Sequence, residues 1–421
     1  MINNEKIWLG AEGSKTRYRP DIDGLKGIAI LFVLVFHYVE TWLTGGFIGV
    51  DIFFVVSGYL IGRSVFESMS KQKFRLSTYF AHRARRIFPS LILMLIVLLG
   101  CGWFALLPGE YASLGKHTGA ASVFISNWLL WREVGYFDTA AELKPLLNLW
   151  SLGLEEQFYL VFPFLIFLGL RLKKRVLPIL VLVFFASLIG SQLKIYDAKA
   201  WAYFHPLSRL WELMAGAILS YAEMKSYTRF LSNSGSLRRF VSFAGVASLI
   251  LAAVFYTKQT VFPGVNALAP VLGAGLLIAA GPQAWVNRYL LSSKILIGVG
   301  LISYPLYLWH WPLLSFVRMI DVSEPGYGAK FMLLLLTLVL SILSYFFIER
   351  PIRFGSLRHK KFMPVYLWVA LLLTGASGFL VYKFHGVPER FGAKYIGPVQ
   401  IGFGSSSDEK VRAVLIGDSH G

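Results

Sequence analysis

The chain has 421 residues, of which 56% are hydrophobic and 16% aromatic while only 15% are charged, a balance that excludes a water-soluble domain. Its net charge of +18 does not point to nucleic acid, because the basic residues are scattered between apolar runs and not gathered on one face. The single cysteine, Cys101, sits inside an apolar run, so no disulfide framework, zinc site or thiol relay is expected.

Apolar runs of about 18 to 22 residues, enough to cross ~30 Å of hydrocarbon as helix, number about eleven. They lie near 24–43, 46–66, 87–107, 149–170, 176–193, 205–222, 239–256, 264–281, 295–317, 329–348 and 364–382. A shorter stretch, 118–131, holds Asn127 beside Trp128 and Trp131 and is expected to be interfacial or re-entrant. The first 22 residues are polar, and no cleavable signal peptide is evident. The expected fold class is all-α, a polytopic transmembrane helical bundle of about ten core spans plus one linking span.

Loop charges give an independent orientation. Basic residues gather after the second run (Arg63, Lys71, Lys73, Arg75, Arg83, Arg85, Arg86), the fourth (Arg171 to Arg175), the sixth (Lys225, Arg229, Arg238, Arg239) and the tenth (Arg350, Arg353, Arg358, Lys360, Lys361), whereas 108–148 is near neutral. With the basic loops inside, the N-terminus is expected in the cytoplasm and residue 390 outside. Counting 118–131 as a crossing would invert every later loop. Past residue 382, Gly402 to Asp408 reads as a flexible linker, and Val411 to Ile416 as a strand opening a further domain that is cut off after Gly417-Asp418-Ser419-His420.

Ionisable residues inside apolar runs are the candidates for chemistry. Lys26 and His37 are eleven residues apart, nearly three helical turns, so they share a face and stand roughly 16 Å apart along the axis. The bland reading has Lys26 snorkelling and His37 as a hydrogen-bonded packing residue. The second run places Asp51 and Ser57 among aromatics, where Gly49, Ser57 and Gly58 also suit tight helix packing. The fourth carries adjacent carboxylates, Glu155 and Glu156, which point about 100° apart on a helix. In the sixth, Arg209 and Glu212 share a face by i,i+3 spacing, as a counter-charge or a buried structural ion pair. His310 stands among the aromatics of Tyr304 to Pro312, where an interfacial belt also accounts for the tryptophans. Arg83 and Arg86, again i,i+3, suit either a topology anchor or a phosphate clamp.

Together these segments resemble the acyltransferase-3 family of bacterial membrane O-acyltransferases. The likeness rests on Asp23-Gly24-Leu25-Lys26 ahead of His37, on Phe53-Phe54 followed by Ser57-Gly58, on Arg83 to Arg86, on Trp150-Ser151-Leu152 with Glu155-Glu156-Gln157-Phe158-Tyr159, and on Tyr304 to Pro312 with Glu349-Arg350-Pro351. Lys26 stands where the family commonly has Arg. The resemblance implies that an acyl group, expected to be acetyl from acetyl-CoA as co-substrate, passes from the cytoplasm to a hydroxyl of an extracytoplasmic glycan. A lipopolysaccharide O-antigen sugar is expected, with peptidoglycan as the alternative. It implies a cytoplasmic tail at 1–22, the membrane domain at 23–355, an additional transmembrane helix at 356–383, and a linker with the truncated start of an SGNH-hydrolase-type α/β domain at 384–421, whose nucleophile would be Ser419.

Lys26, Arg83 and Arg86 are then expected to bind the anionic end of CoA, and His37 to act as general base or acyl carrier. Glu155 or Glu156 would orient its ring, with Glu40 a weaker candidate. Asp51, Ser57, Tyr159, Arg209, Glu212 and His310 form a substrate or structural polar network. No metal is expected, and the bilayer, acyl-CoA and a glycan acceptor are the expected partners, in a bacterial inner membrane. A transporter using the same residues as a proton relay, or an inactive membrane module, is the competing class.

Overall fold

The computed structural model describes residues 18–133, 141–172, 175–228, 234–320 and 325–394, with side chains to 391. The linker at 402–408, the strand expected at 411–416 and Ser419 lie outside them, as do Lys173, Lys174 and Arg229. Among the described residues the chain is helical and forms no strand. It is an all-α, multi-pass membrane bundle, and every expected apolar run contains helix.

The helices are α1 Pro20–Tyr38, α2 Gly49–Ser70, α3 Leu76–Ala105, α4 Pro108–Ser122, α5 Ser126–Glu133, α6 Leu149–Arg171, α7 Val176–Lys194, α8 Lys199–Phe204, α9 Pro206–Met224, α10 Gly235–Phe255, α11 Leu268–Ala280, α12 Lys294–Leu301, α13 Ser303–Ile320, α14 Tyr327–Leu343 and α15 Met363–Lys383. Seven described helical stretches are long and apolar enough to cross a membrane. The other expected runs differ for identifiable reasons. α1 carries Asp21, Asp23 and Lys26, and α9 carries Arg209, Glu212 and Glu223. The run at 264–281 starts as a tight turn, Gly264–Ala267, and leaves 13 residues for α11. The run at 295–317 breaks at Ile302, because Pro305 has no N–H for the carbonyl four residues earlier.

Prolines also start helices: Pro20, Pro108 and Pro206 occupy first-turn positions, where a missing N–H costs nothing. Where helices touch, glycines let backbones meet. A Cβ on Gly58 would lie 1.8 Å from the Leu213 carbonyl oxygen, and one on Gly216 would lie 2.0 Å from that of Val55, so α2 and α9 approach nearly backbone to backbone. The long, exposed apolar side chains of α7, α10, α14 and α15, such as Leu182, Phe240, Phe331 and Leu373, form the outer surface expected to meet lipid.

The 118–131 stretch is not a span. α4 and α5 form a hairpin whose tip, Val123–Ile125, is tucked against α3 with Phe124 and Phe88 rings 5.6 Å apart. Glu133 at the end of α5 meets Lys116 of α4 at 2.7 Å, so the chain returns towards the end it left. The interrupted backbone is satisfied by amides: Gln157 of α6 donates to the Phe124 carbonyl (2.7 Å) and to Asn127 (2.9 Å), and Asn127 donates to the Phe204 carbonyl (3.2 Å). α15 closes over the hairpin, where Gly378 and Gly375 lie against Thr118 and Ser122.

Candidate active site

α1 links two polar centres. Asp21 and Asp23 in its first turn suit the positive end of the helix dipole, and Asp23 pairs with Lys26 at 2.5 Å, one turn on. Around Lys26 a small pocket is lined by Arg86 of α3, Tyr304 of α13, and Tyr345, Glu349 and Arg353 from the segment following α14. Glu349 pairs with Arg353, and Asp23 with Lys26. That leaves Arg86 as the pocket cation with no carboxylate at ion-pair distance among the described residues, Glu155 and Glu156 feeling its charge from further off. Arg83, one turn away on α3, packs its guanidinium over the Tyr159 ring at 4.9 Å. The two arginines therefore differ, Arg86 lining the pocket and Arg83 lying outside it over the Tyr159 ring. Sequence reading missed Arg353, which only the fold brings to this place.

At the other end of α1, roughly 16 Å further along the axis, His37 is half-buried among rings. Its neighbours are Phe36 (5.1 Å between centroids), Trp311 (4.9 Å) and His310 (5.2 Å). The local cause is Pro312. Without an N–H it cannot bond the Leu308 carbonyl, so the backbone of α13 opens there. Asn148 reaches this stretch, donating to the neighbouring Tyr307 carbonyl at 2.7 Å and lying 3.5 Å from that of Leu308. His310 directs Nδ1 to the Tyr307 and Leu306 carbonyls, at 2.8 and 3.2 Å, and its Nε2 is buried with no partner among the described residues. Tyr307 in turn bonds Ser151 (2.6 Å) and the Asn148 carbonyl (2.9 Å). Sequence reading placed Asn148 and Ser151 in no role; a proline inside a spanning helix was the available signal.

The carboxylates sit elsewhere than expected. Glu155 accepts from the Tyr159 hydroxyl at 2.7 Å, with Ser57 beside it, and Glu156 faces Arg83. Neither contacts the His37 ring, whose close partners are aromatic; both interact electrostatically with Arg83 and Arg86. Glu40 is held by Lys258 at 2.7 Å on the exposed surface. Asp51, Arg209 and Glu212 form a separate buried cluster, with Arg209 3.1 Å from Asp51 and 2.6 Å from Glu212. The guanidinium is enclosed by Phe54, Trp150, Tyr203 and Phe262 at 5.4 to 5.6 Å from each ring centroid. Among the described residues no group of three or more His, Cys, Asp or Glu is arranged to hold a metal ion.

A cationic pocket and a pair of imidazoles at the two ends of one helix suit handling an anionic carrier at one place and a neutral reactive group at another. Residues 19–349 match the acyltransferase domain of the acyltransferase-3 family. The chain is 30% identical over 411 residues to a Staphylococcus aureus (strain MSSA476) protein named "Putative O-acetyltransferase SAS0844", covering 91% of this chain and 66% of that one. It is 34% identical over 333 residues to "Putative membrane-bound transacylase BcsY" of Komagataeibacter xylinus, covering 79% and 82%. It is 33% identical over 365 residues to "O-acetyltransferase OatA" of Staphylococcus aureus (strain NCTC 8325 / PS 47), covering 83% and 59%. The chain thus spans 66% and 59% of the length of these two staphylococcal relatives. No solved structure matches it. By the domain match over 19–349 and by these relatives, the chain belongs to the acyltransferase-3 family.

Proposed function

We propose that the chain is a membrane O-acyltransferase that takes an acetyl group from acetyl-CoA at the Lys26 end of α1 and delivers it, at the His37 end, to a hydroxyl of a cell-surface glycan. The observation that carries this reading is the placement of a cationic pocket and a histidine pair at the two ends of one helix, α1, whose Lys26 and His37 stand roughly 16 Å apart. Coenzyme A has the same division, with phosphates at one end and a thioester at the end of a long neutral arm. Arg86, with Lys26 and Arg353 beside it, would hold phosphate oxygens by charge-assisted hydrogen bonds. Glu155, Tyr159 and Ser57 would line the path of the arm. The basic loops favour a cytoplasmic position for the Lys26 end and an extracytoplasmic one for His37, in a bacterial inner membrane. The acceptor we favour is an O-antigen sugar of lipopolysaccharide, with peptidoglycan as the alternative.

Acetyl-CoA affinity of the purified chain in nanodiscs tests the donor end. Arg86→Gln should weaken binding by about 10- to 150-fold, the equivalent of roughly 1.5 to 3 kcal/mol for a charge-assisted contact. Unchanged affinity in a folded variant would contradict the assignment. Mass spectrometry of lipopolysaccharide and peptidoglycan from cells with and without the gene identifies the acceptor by the acetyl group that is lost.

A further inference from the structure

We propose that His310 is a second catalytic residue, whose Nε2 takes the proton of the acceptor hydroxyl while His37 carries the acyl group; this rests on the acyltransferase reading above. Two backbone carbonyls fix the tautomer of His310. Carbonyl oxygens only accept hydrogen bonds, and His310 Nδ1 lies 2.8 Å from the Tyr307 carbonyl and 3.2 Å from that of Leu306. Nδ1 therefore carries the hydrogen, and in the neutral ring Nε2 is a bare lone pair. That nitrogen is fully buried and has no hydrogen-bond partner among the described residues. Leaving a buried acceptor unsatisfied is costly, and such groups call for an explanation. The ring is also locked in place. Its own backbone is bonded by the Tyr38 hydroxyl at 3.3 Å, and Trp309 and Trp311 on either side are anchored to Ser344 Oγ (2.9 Å) and the Lys144 carbonyl (2.8 Å).

Both rings hold a buried nitrogen without a partner among the described residues, His37 Nδ1 and His310 Nε2, and the burial of the whole residue is what separates them. His37 is half-buried and stands on the face of α1 that also carries Lys26, so it meets the thioester first, while His310 is wholly enclosed with its ring centroid 5.2 Å away. In the first step a His37 nitrogen attacks the thioester carbonyl, a C–N bond forms, the C–S bond breaks, and CoA leaves as thiolate. In the second, the acceptor oxygen attacks the acyl carbon, a C–O bond forms, the C–N bond to His37 breaks, and the hydroxyl proton moves to His310 Nε2. The resulting imidazolium then gives its proton to the thiolate or to water. No oxidant or further reactant is required.

The test is rapid-mixing measurement of CoA release from acetyl-CoA by the full chain, followed by steady-state transfer to a glycan acceptor. His310→Asn keeps a donor towards the Tyr307 carbonyl and removes the base, and His310→Gln places an amide near the Nε2 position. Both should retain a first burst of about one CoA per chain but lose about 10²- to 10⁴-fold in steady-state turnover, with melting temperatures near wild type for at least one of them. Near-normal turnover in either variant, or loss of the burst in a folded variant that still binds acetyl-CoA, overturns the role of His310. If wild type itself leaves acetyl-CoA intact, the donor reading fails and this proposal falls with it. An active wild type with active His310 variants removes His310 alone.

Discussion

Arg209 is 1% exposed yet permanently charged, and its surroundings show how such a group is tolerated. Two carboxylates bond it, and four aromatic rings surround it with centroids 5.4 to 5.6 Å from the guanidinium carbon, a setting that suits a broad, weakly hydrated guanidinium. Arg209→Leu should destabilise the chain by roughly 3 to 5 kcal/mol, because Asp51 and Glu212 would be left buried without a cation. Arg209→Lys should recover only part of this, since a compact, strongly hydrated ammonium suits that setting less well. Thermal unfolding in detergent checks both, and a lysine variant as stable as wild type would contradict this. The i,i+3 pair of Arg209 and Glu212 was legible in the sequence, because helical spacing alone puts them on one face. Asp51 and the rings come from other helices, so no local pattern could announce them. Glu133 offers a second residue-level test. Burial alone would raise its carboxyl, but His117, Lys116 and Lys144 outweigh that and hold it well below the usual carboxylate range. A depressed folded pKa gives stability that is full above the unfolded value of about 4.3 and is lost as pH falls through the folded value. Glu133→Gln should therefore lower the melting temperature at pH 7, with the gap to wild type shrinking as the pH drops below about 4. A gap that stays constant into acid would show that the ion contacts contribute nothing.

At the scale of elements, the apolar runs predicted where helices lie, because spanning length and low charge density follow directly from the bilayer. They could not predict breaks. Pro305 and Pro312 both belong to one run, and the first separates α12 from α13 while the second stays within α13 and leaves the Leu308 carbonyl, which Asn148 approaches, without its helical donor. The 118–131 hairpin was recognisable from its short length and Asn127. Gln157, the residue that satisfies its tip, lies on another helix and looked like one more polar residue beside two glutamates. Gln157→Leu removes the donor to the Phe124 carbonyl and to Asn127, and should cost about 1 to 3 kcal/mol for each group left bare. Thermal unfolding that matches wild type would mean that the hairpin tip is satisfied by other means.

For the whole molecule, the helices place polar centres at separate depths: the Lys26 pocket, the carboxylates of α6, and the histidine pair. The sequence made the Lys26–His37 relation visible, since both lie on α1 with helical spacing. It also suggested that Glu155 or Glu156 orients the His37 ring, whereas Glu155 bonds Tyr159 and the ring lies against His310 and Trp311. The cause is the packing of separate helices, which brings Tyr159 to Glu155 and His310 and Trp311 to His37 and which no local sequence pattern reports. The central claim is that acyl transfer runs along α1 and ends at His37. Its most direct test is CoA release and acetyl transfer by His37→Ala and His37→Gln, measured beside their acetyl-CoA affinity and melting temperature. The account predicts that both variants bind acetyl-CoA and stay folded but lose at least about 10²-fold in transfer. A His37→Gln chain with near-normal transfer would contradict it.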